Sequence, residues 1–192
     1  MVKLVGLSGS LRRASFNTAL LKAAAACAPE GCELSCHTPH DIPLYDGDAE
    51  EANGIPAAVA KLKDAIAAAD GLLLVTPEYN NSIPGVLKNA IDWLSRPAQD
   101  AARVFRGKPV AIMGASPGGF GTILSQGAWL PVLRTLGVEL WSEGRLLVPR
   151  ASSAFAPDGT LSDANVREQL RRFMLGFAAF AQAHRDMAHP AA

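Results

Sequence analysis

The chain has 192 residues, 49% of them hydrophobic and 19% charged, and its 18 basic and 18 acidic side chains cancel. A chain of this length is expected to form one domain that buries about 70% of its unfolded surface, and its apolar content excludes a disordered or low-complexity chain. Balanced charge argues against a nucleic-acid partner, apolar runs near the ends are far shorter than the roughly 20 residues of a membrane span, and three cysteines without a secretory leader fit a reducing, cytoplasmic setting.

In chain order, Val2, Leu4, Val5 and Leu7 predict a first strand that runs into Gly6-to-Gly9 turn chemistry, and an Ala-rich stretch over 16–28 predicts a helix. Residues 34–37 predict a weak second strand, followed by an irregular stretch with Pro39, Pro43, Gly47 and Gly54. A helix is expected over 56–69, with Pro56 in its first turn and Val59, Leu62 and Ile66 on its apolar face. The unbroken run over 71–76 reads as a strand buried on both faces.

A loop over 77–85 then leads to helical spacing in Val86, Leu87, Ala90, Ile91 and Leu94. Another buried strand is expected over 109–115, then the Gly-rich segment 116–121, a helix over about 122–136, and a split strand over 138–141 and 145–148. Val166, Leu170, Phe173, Met174, Phe177 and Phe180 predict a last amphipathic helix, with residues 186–192 as a loose tail and 1–185 as the single domain. Alternating strands and helices with continuous apolar strands point to a three-layer, doubly wound α/β fold with a five-stranded parallel sheet.

In such a sheet, ligands bind beyond the carboxyl ends of the strands where strand order reverses. The loops after the first, third and fourth predicted strands are therefore where chemistry is expected. The first holds Ser10, Arg12, Arg13, Ser15, Phe16, Asn17 and Thr18 before a helix begins, which combines hydroxyl, amide and guanidinium donors with the free N–H groups of a helix start. That is more than the single N-cap a helix needs, and it suits an anion. Neither G-x-x-x-x-G-K-[ST] nor G-x-G-x-x-G is present, so a single monophosphate fits better than a triphosphate or a dinucleotide pyrophosphate. The second loop, Pro77-Glu78-Tyr79-Asn80-Asn81-Ser82-Ile83-Pro84-Gly85, offers an aromatic ring, amides and exposed main chain suited to the rim of a flat heterocycle. The third offers Ser116, Gly118 and Gly119.

Gly9-Ser10-Leu11-Arg12 with Ser15 and Asn17, Asp41-Ile42-Pro43-Leu44-Tyr45, Thr76-Pro77-Glu78-Tyr79-Asn80, and Leu87-Lys88-Asn89-Ala90-Ile91-Asp92-Trp93 resemble the NADPH-dependent FMN reductase family, in its chromate and quinone reductase branch. The resemblance runs from about Val2 to Val148. It implies a flavodoxin-like sheet of order 2-1-3-4-5 with FMN between the first and third strands. By matching position it also implies that Ser10, Arg12, Ser15, Asn17 and Thr18 hold the FMN phosphate, that Pro77, Glu78, Tyr79 and Asn80 line the isoalloxazine, and that Ser116, Gly118 and Gly119 approach its other edge, with Phe16 and Ser82 also expected to bind the cofactor. NADPH or NADH would be the electron donor, and a quinone, chromate, an azo compound or free flavin the small acceptor. No side chain need act as a catalytic nucleophile or base, because the flavin carries the chemistry, and Asn80 with the Gly118-Gly119 main chain is expected to stabilise charge on the reduced ring. The family commonly forms homodimers and homotetramers, which the resemblance extends to this chain.

Two other functions are weighed. Gly114-Ala115-Ser116-Pro117-Gly118 matches a serine hydrolase elbow with Asp158 or Asp163 and His184 or His189 following, but Pro117 has no N–H to give an oxyanion hole. A flavodoxin-type electron carrier would share fold and cofactor, yet a neutral chain lacks the field such carriers use for steering. Cys27, Cys32 and Cys36 have no metal-site spacing and are expected to pack, as are Trp93, Trp129 and Trp141.

Overall fold

The computed structural model describes residues 1–188. Its strands are β1 (Val2–Ser8), β2 (Cys32–His37), β3 (Gly71–Val75), β4 (Pro109–Ala115), β5 (Glu139–Leu140) and β6 (Leu146–Val148). Its helices are α1 (Phe16–Ala26), α2 (Gly47–Asn53), α3 (Ala57–Ala68), α4 (Gly85–Leu94), α5 (Ala98–Phe105), α6 (Ile123–Leu136), α7 (Ala151–Ala154) and α8 (Ala164–Ala188). All pairings are parallel, in the order β2-β1-β3-β4-β5, with β6 also on β4. This is the flavodoxin-like order.

The apolar strands read as continuous because helices cover both faces. On one side Leu73 and Val75 join Leu20, Leu21, Met174 and Phe177 from α1 and α8. On the other, Leu72 and Leu74 join Val59, Ile66, Ile91 and Leu133 from α3, α4 and α6. Successive side chains of β3 thus enter opposite cores, and both must be apolar.

The fifth position of the sheet is filled twice. β5 pairs with Pro109 and Val110 at the start of β4, and β6 with Met113 to Ala115 at its end. Between them Trp141 turns inward against Phe173 and Phe177, at centroid distances of 5.0 and 5.9 Å. A Cβ on Gly144 or Gly176 would overlap the Trp141 ring, so both glycines make room for it. Trp93 and Trp129 are also buried, so all three indoles belong to the core.

Three short helices, α2, α5 and α7, lie where the sequence suggested none. α2 buries no residue and so has no apolar stripe to betray it. At the other end α8 continues to Ala188, making residues 186–188 helical rather than loose; 189–192 lie outside the described residues.

The segment after β2 docks on α4. The Pro43 carbonyl accepts from Asn89 Nδ2 at 2.8 Å and Trp93 Nε1 at 2.9 Å, while Asn89 Oδ1 accepts from the Tyr45 N–H at 2.8 Å. Tyr45 also meets Trp93 edge to face at 5.0 Å. Asn89 and Trp93 therefore hold a strap in place.

Beneath α5, Lys63 is only 3% exposed; its ammonium meets Asp100 Oδ2 at 2.5 Å and donates to the Arg96 carbonyl. Asp100 Oδ1 also accepts from Arg103 Nε at 2.7 Å, and Arg103 reaches Asp64 at 3.0 Å. Arg103 first and Lys63 second hold the Asp100 carboxyl well below the ordinary carboxylate range. Asp100→Asn would strand the Lys63 charge and is expected to cost about 3 kcal/mol at neutral pH by urea unfolding. Because the folded-state value is depressed, the contribution is present above the ordinary carboxylate pKa and is lost as pH falls through the folded one. The gap between variant and wild type should therefore narrow on acidification from about pH 4 downwards.

Candidate functional site

The three loops foreseen from strand order meet at the carboxyl ends of β1, β3 and β4. They line one open cavity of about 150 Å³ that includes Ser10, Arg12, Asn17, Tyr79, Ser116 and Pro117.

In the first loop Gly9 passes so close to Pro77 and Leu87 that a Cβ would overlap both, and its N–H donates to the Val75 carbonyl at 2.9 Å. The chain then reaches Ser15, which caps α1 by accepting from the Thr18 N–H at 3.3 Å. The N–H groups of Phe16 and Asn17, in the first turn, have no intrahelical acceptor, and both residues line the same cavity. Ser10 is buried, and its hydroxyl accepts from the Arg12 N–H at 3.2 Å. Arg12 itself is exposed and pairs with no carboxylate among the described residues. Orphan amides, hydroxyls and an uncommitted guanidinium fit a phosphate group.

The other hydroxyl and amide of this loop work inward. Thr18 Oγ1 lies 2.9 Å from Ser8 Oγ. Asn17 donates from Nδ2 to the Ala115 carbonyl at 2.8 Å and accepts at Oδ1 from the Ala115 N–H at 2.9 Å. The side chain of Asn17 thus fastens α1 to the end of β4, and what it offers a phosphate is its main-chain N–H.

In the second loop, Tyr79 and Ser82 exchange main-chain hydrogen bonds of 3.2 and 3.1 Å around Asn80 and Asn81. Both asparagines have positive φ, 50° and 61°, the backbone of a type I′ turn. The turn leaves the Tyr79 ring 46% exposed. Glu78 lines the same cavity and has a second task that the sequence did not suggest: its Oε2 accepts from the Leu124 and Ser125 N–H groups at 2.8 and 3.0 Å. It caps α6, whose own N-cap Thr122 makes no side-chain cap bond. A carboxylate at that positive helix end is well placed.

The third loop is fixed at both ends. Ser116 donates its hydroxyl to the Gly121 carbonyl and its N–H to the Val148 carbonyl at 3.0 Å, and the Gly118 carbonyl accepts from the Arg150 N–H at 2.9 Å. Gly114 lies so close to Thr76 and Thr122 that a Cβ would overlap both. Below, Thr76 Oγ1 meets Ser125 Oγ at 2.9 Å and accepts from Trp129 Nε1 at 3.1 Å.

The hydrolase alternative does not assemble. Besides Pro117, the Ser116 hydroxyl is held by Gly121, Asp163 caps the start of α8, Asp158 accepts from the Thr160 N–H, and His184 faces the Phe180 carbonyl at 2.9 Å. His189 lies outside the described residues.

The NADPH-dependent FMN reductase family model matches residues 2–152. The chain belongs to this family. It is accordingly an FMN-using NAD(P)H oxidoreductase. An NAD(P)H-dependent FMN reductase of Pseudomonas aeruginosa is 43% identical over 171 residues, covering 89% of this chain and 90% of its own. A 2-hydroxy-1,4-benzoquinone reductase of a Burkholderia species is 38% identical over 184 residues, covering 96% and 98%. Among solved structures, the flavoenzyme NAD(P)H:(acceptor) oxidoreductase FerB of Paracoccus denitrificans superposes with a TM-score of 0.83 at 35% identity, over 96% of this chain and 99% of that one.

Sequence reasoning placed the loops but missed Ala115 and Pro117 as lining residues and the inward roles of Asn17 and Glu78. Asn17→Ala would leave both main-chain groups of Ala115 unpaired in a buried place. It is expected to lower stability by about 2 kcal/mol in thermal or urea unfolding, and to weaken flavin binding through the displaced loop.

Proposed function

We propose that the three-loop cavity binds FMN, with its phosphate at the start of α1 and its ring against the Tyr79–Ser82 turn and the Gly118-Gly119 segment, and that the enzyme reduces a quinone-type acceptor with NAD(P)H. The observation that carries this is the pair of unsatisfied N–H groups at Phe16 and Asn17, beside Arg12 and the buried Ser10, in one cavity with Tyr79 and Pro117. Bound FMN supplies hydride acceptance from a nicotinamide and electron transfer to the acceptor. The chain's own work is to hold and orient. Arg12 and the α1 amides would neutralise the phosphate, the left-handed Asn80-Asn81 turn presents main chain and the Tyr79 ring, and the Gly118-Gly119 main chain would meet developing negative charge. Quinones are favoured over other acceptors because the 2-hydroxy-1,4-benzoquinone reductase matches nearly end to end.

A second copy of the chain is proposed to complete the site's outer wall. Phe120 on the third loop is 81% exposed, and Tyr79 on the second loop and Ile123 and Leu124 at the start of α6 are also exposed, an apolar border that a partner subunit would cover. No helix among the described residues is long and apolar enough to cross a membrane, and all three cysteines are free thiols, which supports a cytoplasmic setting.

Protein loaded with FMN should be bleached by NAD(P)H alone and recoloured by a quinone; failure to retain FMN when reconstituted would overturn the reading. Arg12→Ala should weaken FMN binding by about tenfold or more, the loss of one charge-assisted contact, measured by flavin fluorescence quenching. Asn80→Gly keeps the positive φ, whereas Asn80→Ala opposes it. If the side chain of Asn80 matters to the ring, both variants should slow flavin reduction; if only the turn matters, Gly should behave as wild type and Ala should not.

A further inference from the structure

From the structure we infer a second nucleotide subsite, continuous with the FMN site, that takes the adenosine 2′-phosphate end of NADPH and selects NADPH over NADH. It rests on the reading of the three-loop cavity as the FMN site.

A furrow leaves that cavity. Arg12, Ser15 and Phe16 line both the three-loop cavity and a second one of about 500 Å³ between α1 and the segment following α7. Ala19, Lys22, Asp158 and Gly159 line both the second and a third cavity of about 460 Å³, which continues along α1 towards α8. The three form one track along α1, and a mononucleotide whose ring lies at the Tyr79 turn and whose phosphate lies at the α1 start fills only the first part. A dinucleotide is longer. With its nicotinamide at the flavin ring and its chain running alongside the FMN, its far end overshoots the FMN phosphate and arrives in the furrow.

The walls fit such an end. Arg13 and Lys22 are exposed, line the furrow, and form no ion pair among the described residues. Two uncommitted cations on one wall suit a dianionic phosphate. Phe16 and Phe155, 5.7 Å apart, supply an aromatic edge suited to a purine. Asp158 is the one carboxylate of the furrow. Its Oδ1 accepts from the Thr160 N–H at 2.8 Å, and a carboxylate there is an acceptor for a purine amino group or a ribose hydroxyl, while opposing a phosphate placed against it. The 2′-phosphate is therefore assigned to the Arg13 and Lys22 wall.

The test uses FMN-loaded protein. Calorimetric titration with adenosine 2′,5′-bisphosphate and, separately, with 5′-AMP should show the bisphosphate binding about tenfold or more tightly, the value of a charged hydrogen bond. In Lys22→Glu, which alters an exposed side chain and should fold normally, that advantage should disappear, and the ratio of kcat/KM for NADPH to that for NADH should fall by about tenfold or more. The change should lie in KM for NADPH. Equal binding of the two nucleotides, no binding of either, or a Lys22→Glu variant with unaltered NADPH-to-NADH preference overturns the subsite. Retention of yellow FMN in the same samples reports separately on the cofactor site, so loss of colour would count against the FMN reading rather than the furrow.

Discussion

One side chain joins the two halves of the site. Asn17 bonds both main-chain groups of Ala115, so the first residues of α1 and the last residue of β4, 98 positions apart in sequence, are held in a fixed relation by two buried hydrogen bonds. Everything the cavity offers follows from that relation. The orphan amides of α1 and the Gly-rich loop converge on one volume because the helix cannot swing away from the strand. Such a bond pair is worth little in water and much more here, since breaking it strands four buried polar groups, two on each residue.

The same economy recurs around the other loops, where polar side chains near the cavity mostly hold main chain rather than face a ligand. Glu78 caps α6, Ser116 closes on Gly121, Thr76 anchors Ser125 and Trp129, and Asn89 fastens the strap of Pro43 and Tyr45. Flavin chemistry needs no side-chain base, so a rigid frame of main-chain donors meets its requirements. The longest family motif, Leu87 to Trp93, belongs to this frame: its Asn89 and Trp93 bond the Pro43 carbonyl, and its Leu87 and Ile91 are core.

The parallel strands and the three site loops were legible in the sequence because their signals are local and strong, whereas the sheet order followed only from the family resemblance. β3 and β4 are unbroken apolar runs, and Ser15 followed by a helix is a cap by composition alone. What was illegible depends on partners distant in sequence. Nothing in Asn17 says that its amide faces Ala115, and nothing in Glu78 says that it caps a helix 45 or so residues later, since a carboxylate in a loop after a strand reads equally well as a ligand contact. α2, α5 and α7 escaped for a different reason: at 7, 8 and 4 residues they are too short for an apolar period to declare itself.

Zero net charge takes on meaning once the ion pairs are mapped. Most clustered charge on the α3, α4 and α5 side is matched at short range, as in Lys63 with Asp100, Arg103 with Asp64 and Arg96 with Glu50. Before α1 and along it, Arg12, Arg13 and Lys22 have no such partner among the described residues, although the whole chain is neutral. Cations left unpaired before one helix and along it, beside main-chain donors at its start that cannot pair within it, add positive potential where anionic nucleotides must enter. Screening by salt confines the pull of this group of cations to roughly a Debye length of about 8 Å, so they act on a ligand only once it is close to the mouth of the cavity.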